Sequence, residues 1–320
     1  MKFPTFEDVV EVRQLNEKGR IRDFMKLKEW NGLDNGVKKC GNQYLQHYQT
    51  RNIFQTKYEG KPSLYEIFQN QSLLEDLFKL TFTKDEDKLA INMPQAYTRR
   101  NPVCYFKCST AKYLYTKFGA KKVLDMTAGW GGRMIGAYAH DIDYTGIDTN
   151  IELKPVYETM MTELSGHSKS KCNMIWDSWK NVDFSKIEFD MMLTSPPYFN
   201  KEVYEHMTPF GSKDEYYKDF LIPMIETALK YIQKGGWVCI NINPEFYDEL
   251  IGKYKFKPAD KIELFQQSVA KTKDGAIKYE NVYCWTSDSA PVKDCSACAE
   301  CKQKDIEIRK LKDMLKLYLG

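Results

Sequence analysis

The residues best suited to chemistry lie in the segment Asp190–Phe199, which reads Asp-Met-Met-Leu-Thr-Ser-Pro-Pro-Tyr-Phe. A short apolar strand runs here into two consecutive prolines, so we expect the backbone to leave the sheet as a stiff, extended turn. In such a turn the Ser195 side chain and the Pro196 carbonyl can form a fixed pair of hydrogen-bond acceptors. The pair can hold an NH₂ group with its nitrogen about 3–3.5 Å from an electrophilic methyl group. The segment therefore predicts group transfer to an amino nitrogen.

Two aromatic residues complete this segment. Tyr198 can stack on the flat face of a base and Phe199 can assist it, a contribution of about 1–3 kcal/mol per base. The alternative is a Pro-Pro turn beside a buried tyrosine, which surface loops also use. The position of the segment, after a predicted strand and downstream of a glycine-rich turn, favours a substrate pocket.

The glycine-rich turn Asp125–Gly131 reads Asp-Met-Thr-Ala-Gly-Trp-Gly. Its glycines let the backbone turn sharply and let a ligand approach the chain closely. Asp125 can face a positive charge on that ligand, and Asp148, at the end of the next predicted strand, can accept both hydroxyls of a ribose. Because no G-x-G-x-x-G pyrophosphate pattern is present, we expect a nucleoside without a diphosphate, and S-adenosylmethionine fits. The alternative is an ordinary turn with two solvated acids.

Alternating strands and helices must position these two segments. We predict strands over residues 122–126, 143–148, 173–176, 189–193 and 237–242, separated by helices. Strands that alternate with helices of this length indicate a parallel sheet covered on both faces.

Two segments resemble the motifs of the amino-methyltransferases, the enzymes that methylate N4 of cytosine or N6 of adenine. Asp125–Gly131 resembles their cofactor motif, and Ser195–Tyr198 resembles their catalytic (Asp/Asn/Ser)-Pro-Pro-(Tyr/Phe/Trp) motif. The two segments together are similar to DNA modification methylases of phages and large DNA viruses. The resemblance covers about residues 101–286 and does not extend to the first 90 residues or the last 30.

The resemblance implies a doubly wound, Rossmann-like class I S-adenosylmethionine-dependent methyltransferase fold with a helical N-terminal extension. It implies catalytic roles for Ser195, Pro196, Pro197 and Tyr198, and contact with the substrate base for Tyr198 and Phe199. It implies that the cofactor binds Phe106, Ser109, Asp125, Thr127, Ala128, Gly129, Gly131, Asp148 and Asp177. By the same resemblance, Asp177 would accept from the adenine amino group, and Ile147 or Trp176 would lie against the adenine ring.

The target base follows less directly from the resemblance. Serine before Pro-Pro resembles the N4-cytosine enzymes, but a cofactor motif that precedes the catalytic motif is not their usual order, so cytosine is only slightly favoured over adenine. In a duplex the base would have to be flipped out of the stack, with Phe199–Asp214 as a candidate loop over it or an ordinary polar connection. The alternatives are an RNA base methyltransferase and a non-catalytic nucleic-acid-binding subunit. Enzymes that modify protein glutamine prefer asparagine before Pro-Pro, so Ser195 counts against them.

The pattern of predicted helices and strands divides the chain into three regions. Residues 1–100 predict helices, residues 101–290 carry the alternating pattern, and residues 291–320 hold a cysteine-rich segment and a charged helix. The N-terminal region can be a target-recognition domain or a helical cover over the sheet, since it resembles no named DNA-binding motif.

Composition bounds the function only loosely. The net charge of +3 over 320 residues neither indicates nor excludes a nucleic-acid partner, because a balanced total can hide a basic face. The first ten residues do not read as a signal peptide, and no apolar stretch is long enough to span a bilayer. We therefore expect a soluble, cytoplasmic protein that does not bind a membrane. Its expected partner is DNA, with RNA as the alternative.

Three of the nine cysteines lie three positions apart near the end of the chain, at Cys295, Cys298 and Cys301. A closed zinc site needs four ligands, which Cys284 or a second chain would have to complete. Three reduced thiols are the favoured interpretation, and we expect no metal. The helix predicted over residues 305–319 is short, so we expect a monomer or a weak homodimer through this helix.

Overall fold

The computed structural model describes residues 3–33, 40–81, 85–100, 105–200, 202–203, 207–271 and 277–287. The chain divides into a compact unit, Met1–Asp288, and the segment Ser289–Gly320. That segment, with Cys295, Cys298, Cys301 and the predicted C-terminal helix, lies outside the described residues.

The described residues contain nine β-strands. Their bounds are β1 Lys57–Tyr58, β2 Lys122–Asp125, β3 Asp143–Asp148, β4 Cys172–Trp176, β5 Met191–Thr194, β6 Glu202–Val203, β7 Trp237–Ile242, β8 Lys261–Lys271 and β9 Ile277–Thr286. Seven of them form one sheet in the order β4-β3-β2-β5-β7-β9-β8. The first five strands of that order are parallel, whereas β9 is antiparallel to β7 and β8 is antiparallel to β9.

Twelve α-helices accompany these strands in the described part of the chain. Their bounds are α1 Phe6–Glu11, α2 Glu17–Glu29, α3 Asn42–Gln55, α4 Leu64–Phe68, α5 Gln71–Lys79, α6 Leu89–Arg100, α7 Cys108–Phe118, α8 Gly132–His140, α9 Lys154–Ser165, α10 Lys213–Glu215, α11 Ile222–Tyr231 and α12 Pro244–Gly252. A π-helical segment, Tyr216–Leu221, joins α10 to α11. None of these helices is long and apolar enough to cross a bilayer.

The central strands β2, β5 and β7 are almost entirely buried, which explains why apolar residues predominate in them. Successive side chains of a strand point to opposite faces, and those of β5 divide accordingly. Met191 and Leu193 join the hydrophobic cluster that contains α7, α8 and α9. Met192 joins the cluster on the other face, which contains the π-helical segment, α11 and α12. The fold is therefore doubly wound and Rossmann-like, as the sequence predicts.

The N-terminal helices divide between two cores. Phe24 and Leu27 of α2, with Tyr44 and Leu45 of α3, belong to the cluster on the α7–α9 face of the sheet. Helices α1, α4, α5 and α6 form a third cluster with the end of α3. Part of the N-terminal region thus covers the sheet, and part has a core of its own.

A buried lysine joins α2 to the sheet-covering helices. The Lys112 ammonium on α7 donates to the carbonyls of Leu27 and Lys28, at 2.9 and 2.7 Å, and so satisfies the carboxyl end of α2. Burial and the nearby charge of Lys28 lower the pKa of Lys112 to about 8. Asp23 of α2 in turn accepts from the Tyr44 N–H at the start of α3, at 3.0 Å. These contacts hold α2 and α3 against the domain that contains the glycine turn.

Candidate active site

The order of the strands locates the site. The chain runs outward from β2 through β3 to β4 on one side, and from β5 to β7 on the other. In an open parallel sheet, ligands bind outside the carboxyl ends of the strands at the point where the order reverses, here between β2 and β5. β2 ends at Asp125 and β5 ends at Thr194. Both predicted motifs therefore begin at this point.

Three glycines shape the turn between β2 and α8. Gly129 and Gly131 have φ angles of 57° and 90°, a left-handed conformation that favours glycine. A Cβ at Gly131 would lie 3.3 Å from the Tyr157 ring, and one at Gly132 would lie 2.0 Å from the Phe106 carbonyl oxygen. The turn is therefore packed closely between α9 and the segment that precedes α7.

Asp125 lies beneath the turn rather than at its surface. Its side chain is fully buried, and Oδ2 accepts from Arg133 Nε and from the Tyr144 hydroxyl, both at 2.6 Å. Oδ1 accepts from the Thr194 hydroxyl at 2.9 Å. Burial alone would lower the pKa of Arg133, but the Asp125 carboxylate beside it holds that pKa above its ordinary range. The expectation that Asp125 faces a charged ligand needs correction, because protein groups already occupy both oxygens.

Asp148, at the end of β3, is partly exposed and supports the turn from the side. Its Oδ2 accepts from the Gly129 N–H at 2.7 Å, and its Oδ1 accepts from the Asn150 N–H at 2.9 Å. Burial raises the pKa of Asp148 to about 6, although these two N–H groups act in the opposite direction. Each carboxylate oxygen keeps a second lone pair. Asp148 can therefore accept two further hydroxyl groups.

Asp177 lies at the same edge of the sheet, one residue beyond β4. Trp176 is the register partner of Asp148, so Asp177 follows directly after that pair. Asp177 is exposed and accepts from the Ser178 N–H at 2.6 Å and from the Asn181 amide at 2.8 Å. Ile147 is fully buried in a core cluster, whereas Trp176 is only partly buried. Of these two residues, Trp176 is the one that can contact a ligand ring at this edge.

The remaining predicted cofactor positions lie around the turn. The Ala128 N–H donates to the Ile147 carbonyl at 2.9 Å, and the Thr127 N–H donates to the Thr194 hydroxyl at 3.1 Å. Phe106 is buried, with the Arg133 guanidinium 5.2 Å from its ring centre.

Ser109, in the first turn of α7, is 1% exposed. A residue so enclosed can support the turn through packing but offers almost no surface to a ligand.

The Ser-Pro-Pro-Tyr segment contacts a residue that the sequence analysis missed. The Ser195 and Tyr198 hydroxyls lie 3.2 and 3.4 Å from Asn241 Oδ1. Asn241 is on β7 and fully buried, and its Nδ2 donates to the Asn281 carbonyl at 3.1 Å. The signal in the sequence is a single amide in the otherwise apolar strand Val-Cys-Ile-Asn-Ile. A buried amide requires partners, and here the partners are predicted catalytic side chains.

Aromatic rings pack against Tyr198 and Phe199 of this segment. The Tyr198 ring stacks on Phe246 of α12, with ring centres 6.1 Å apart, and remains partly exposed. Phe199 has a φ of 54°, unusual for a residue with a Cβ, and its ring stacks on Phe210 at 6.3 Å. Of the two prolines, Pro196 is buried and Pro197 is partly exposed. Each of the two aromatic residues of the segment is therefore supported by a second ring.

The connection after this segment is fixed at both ends. Asn200 Nδ2 donates to the Phe210 carbonyl at 2.7 Å, and the Phe210 N–H donates back to Asn200 Oδ1 at 2.9 Å. Within the connection, β6 pairs with β1 of the N-terminal region, with Val203 opposite Lys57. Residues 201 and 204–206, which include the predicted loop residues Lys201, Tyr204 and His206, lie outside the described residues.

The described residues contain no group of three or more His, Cys, Asp or Glu side chains that could hold a metal ion. Cys284, the suggested fourth ligand, is fully buried on β9 opposite Cys239 of β7. It therefore presents no surface to a metal ion.

No protein-family model and no curated protein sequence matches this chain. Among solved structures, the chain is similar to TrmN from Thermus thermophilus, with 17% identity and a TM-score of 0.38, covering 55% of this chain and 48% of that one. It is also similar to an rRNA methylase from Streptococcus thermophilus, with 12% identity and a TM-score of 0.35, covering 52% and 86%. A methyltransferase from Pyrococcus furiosus has 14% identity and a TM-score of 0.38, covering 70% and 97%. This chain spans about half the length of TrmN. Likeness at this level does not identify a reaction or a substrate.

Proposed function

We propose that this chain is an S-adenosylmethionine-dependent methyltransferase that modifies the exocyclic amino group of a DNA base. The observation that carries the proposal is the hydrogen bonding of Thr194. Its hydroxyl accepts from the Thr127 N–H at 3.1 Å and donates to Asp125 at 2.9 Å. These bonds join the end of β5, which Ser195 follows, to the glycine turn. This supports a site in which Ser195 accepts the amino group of a substrate next to a cofactor bound at the turn.

The residues around the turn fit the cofactor. Asp148 has a lone pair left on each oxygen for the two ribose hydroxyls, and Gly129, whose Cβ would lie no closer than 3.9 Å to the atoms around it, leaves the backbone open to close approach. Asp177 and Trp176 follow at the same edge of the sheet, where an adenine amino group and ring can be bound. When bound, S-adenosylmethionine supplies an electrophilic methyl group.

The catalytic segment provides acceptors and a stacking surface. The Ser195 hydroxyl oxygen and the Pro196 carbonyl can each accept one N–H of the target NH₂ group, which directs the nitrogen lone pair away from both. Tyr198, supported by Phe246 at 6.1 Å, can stack on the base. The acceptors also stabilise the positive charge that develops on the nitrogen. The nitrogen can lose its proton to water, so no dedicated base is required.

The substrate in this proposal is DNA, with N4 of cytosine slightly favoured over N6 of adenine because serine precedes Pro-Pro. A base in a duplex must be flipped into the pocket, at a cost of a few kcal/mol. The pairing of β1 with β6 supports a role for the N-terminal helices in target recognition, since β6 follows the catalytic segment by only a few residues. We expect a monomer or a weak homodimer.

The test is transfer of labelled methyl from S-adenosylmethionine to unmethylated DNA and, in parallel, to bulk RNA. The products are digested to nucleosides and separated. Label in N4-methylcytosine or N6-methyladenine from DNA, absent with the Ser195→Ala/Tyr198→Ala double variant, is the expected result. Ser185→Ala is the matched control and should retain activity, because the Ser185 side chain is exposed and its hydroxyl donates to nearby Asp183. Label in RNA alone would transfer the proposal to an RNA base, and no label in either polymer would overturn it.

A further inference from the structure

The buried amide of Asn241 has only one possible orientation. Its Nδ2 lies 3.1 Å from the backbone carbonyl of Asn281, and a carbonyl oxygen can only accept a hydrogen bond. The NH₂ end must therefore face Asn281. Asn241 Oδ1 consequently faces Ser195 and Tyr198, at 3.2 and 3.4 Å.

This orientation determines where the Ser195 proton goes. Asn241 Oδ1 carries no hydrogen, so the hydroxyl 3.2 Å away must donate its single proton to it. The lone pairs of Ser195 Oγ then remain for the substrate. A free serine hydroxyl could either donate or accept, unlike the aspartate or asparagine oxygen that can occupy the same motif position. Serine at this position therefore needs a neighbour that directs its proton.

We propose that Asn241 is a positioning residue that holds Ser195 as an acceptor and thereby selects bases with an amino group over bases with an oxo group. The inference rests on the proposed function and names its selectivity. An oxo oxygen opposite Ser195 Oγ would bring two acceptors together with no proton between them, whereas an amino group can donate an N–H to Ser195 Oγ.

Two substitutions at the same position separate this role from mere packing. Asn241→Leu removes the acceptor and frees the Ser195 proton, whereas Asn241→Asp keeps an acceptor for it. In Asn241→Asp the buried carboxyl group is neutral, so its O–H can donate to the Asn281 carbonyl, a bond that Asn241→Leu loses. Stability alone therefore cannot separate the two roles, and the deciding readout is the preference between amino and oxo bases, which a loss of packing alone would not change.

The first measurement is the ratio of dissociation constants for matched single-stranded oligonucleotides, with saturating S-adenosylhomocysteine. The pairs carry cytosine or uracil, and adenine or hypoxanthine, at one position. We expect the wild-type protein and Asn241→Asp to prefer the amino base of one pair by about 10-fold, and Asn241→Leu to lose most of that preference, as the loss of about one hydrogen bond predicts. A wild-type ratio in Asn241→Leu, or an equal loss in both variants, overturns the proposal.

The second measurement is independent of any substrate. Neutron diffraction from crystals of the deuterated protein locates the deuteron on Ser195 Oγ. We expect it on the line toward Asn241 Oδ1, and a deuteron that points elsewhere overturns the proposal even where methyl transfer to DNA succeeds. A correctly placed deuteron in a protein that methylates neither DNA nor RNA refutes the proposed function alone.

Discussion

The hydroxyl oxygens of Thr127 and Thr194 lie 2.6 Å apart, where the chain leaves two neighbouring parallel strands. Thr194 donates its own proton to Asp125 Oδ1 at 2.9 Å, so the hydrogen bond between the two threonines must use the Thr127 proton. Both hydroxyls are thus fixed in direction. The glycine turn and the Ser-Pro-Pro-Tyr segment are thereby held by one buried carboxylate.

Replacement of Thr194 by valine should loosen both segments together. Thr194→Val removes the hydroxyl that bonds to both Asp125 Oδ1 and the Thr127 N–H and leaves these two groups only their longer bond to each other at 3.3 Å, a cost of about 1–3 kcal/mol in the free energy of unfolding. We also expect weaker binding of S-adenosylhomocysteine, because the turn loses its anchor. Urea unfolding and titration calorimetry measure the two effects. Thr194→Ser keeps the hydroxyl and is the control, and equal stability of the two variants would refute the anchoring role.

Gly132 should tolerate no side chain. Its ideal Cβ would lie 2.0 Å from the Phe106 carbonyl oxygen, which is backbone and cannot rotate away. Gly132→Ala should therefore lower the free energy of unfolding by at least about 1–3 kcal/mol through overpacking, seen as a lower melting temperature. Gly252→Ala is the matched control, because no atom lies within 4 Å of its Cβ and it ends α12. Comparable melting temperatures for the two alanine variants would contradict the observed packing.

The sequence predicted five parallel strands, and the signal is strongest for β2, β5 and β7, whose buried residues form short, mostly apolar runs. It did not predict the antiparallel pair β8–β9 at the edge of the sheet. Strand β8 reads Lys-Ile-Glu-Leu-Phe-Gln-Gln-Ser-Val-Ala-Lys, which has no continuous apolar run. An edge strand has fewer neighbours to cover it, so its composition carries a weaker signal.

Some residues of the candidate site could likewise be predicted from the sequence, and others could not. Asp148 and Ser195 could be assigned to one edge of the sheet because both follow parallel strands. Asn241 could not be assigned, since Ser195 lies 46 positions away and Asn281 lies 40 positions away. The engagement of Asp125 by Arg133, eight positions later, depends on the direction in which α8 leaves the turn. Such contacts arise from tertiary packing and leave no local pattern.

The hydroxyl of Tyr216 should contribute nothing to stability unless a water or a ligand reaches it. The residue is fully buried among aromatic rings, and its oxygen has no hydrogen-bond partner among the described residues. An unsatisfied buried hydroxyl costs about 1–3 kcal/mol, so Tyr216→Phe should leave the free energy of unfolding unchanged or raise it. Urea unfolding of the free protein tests this. A loss of stability beyond about 1 kcal/mol would instead reveal a bound water at this oxygen.

Cofactor binding should weaken in acid because of Asp148. Its pKa is raised to about 6 by burial, and only the ionised carboxylate can accept both ribose hydroxyls. The dissociation constant for S-adenosylhomocysteine should therefore rise about tenfold per pH unit below about pH 6. Asp148→Asn does not titrate and should remove this dependence, whatever its absolute affinity. Calorimetry across this range compares the two proteins.

The stability of the free protein should respond to Asp148 with the opposite sign. A carboxyl group whose pKa rises on folding, here from 3.8 to about 6, contributes stability that is fully present below the lower value and is lost as the pH rises through the higher one. The difference in unfolding free energy between wild type and Asp148→Asn should thus favour the wild type increasingly as the pH falls from about 6 to about 4. Taking the difference removes the contribution of other carboxylates, such as Asp214, whose pKa is lowered chiefly by hydrogen bonds from Lys253 and Tyr254. The prediction would be refuted if neither this difference in unfolding free energy nor the binding of S-adenosylhomocysteine changed between about pH 6 and pH 4, because Asp148 would then be ionised throughout that range.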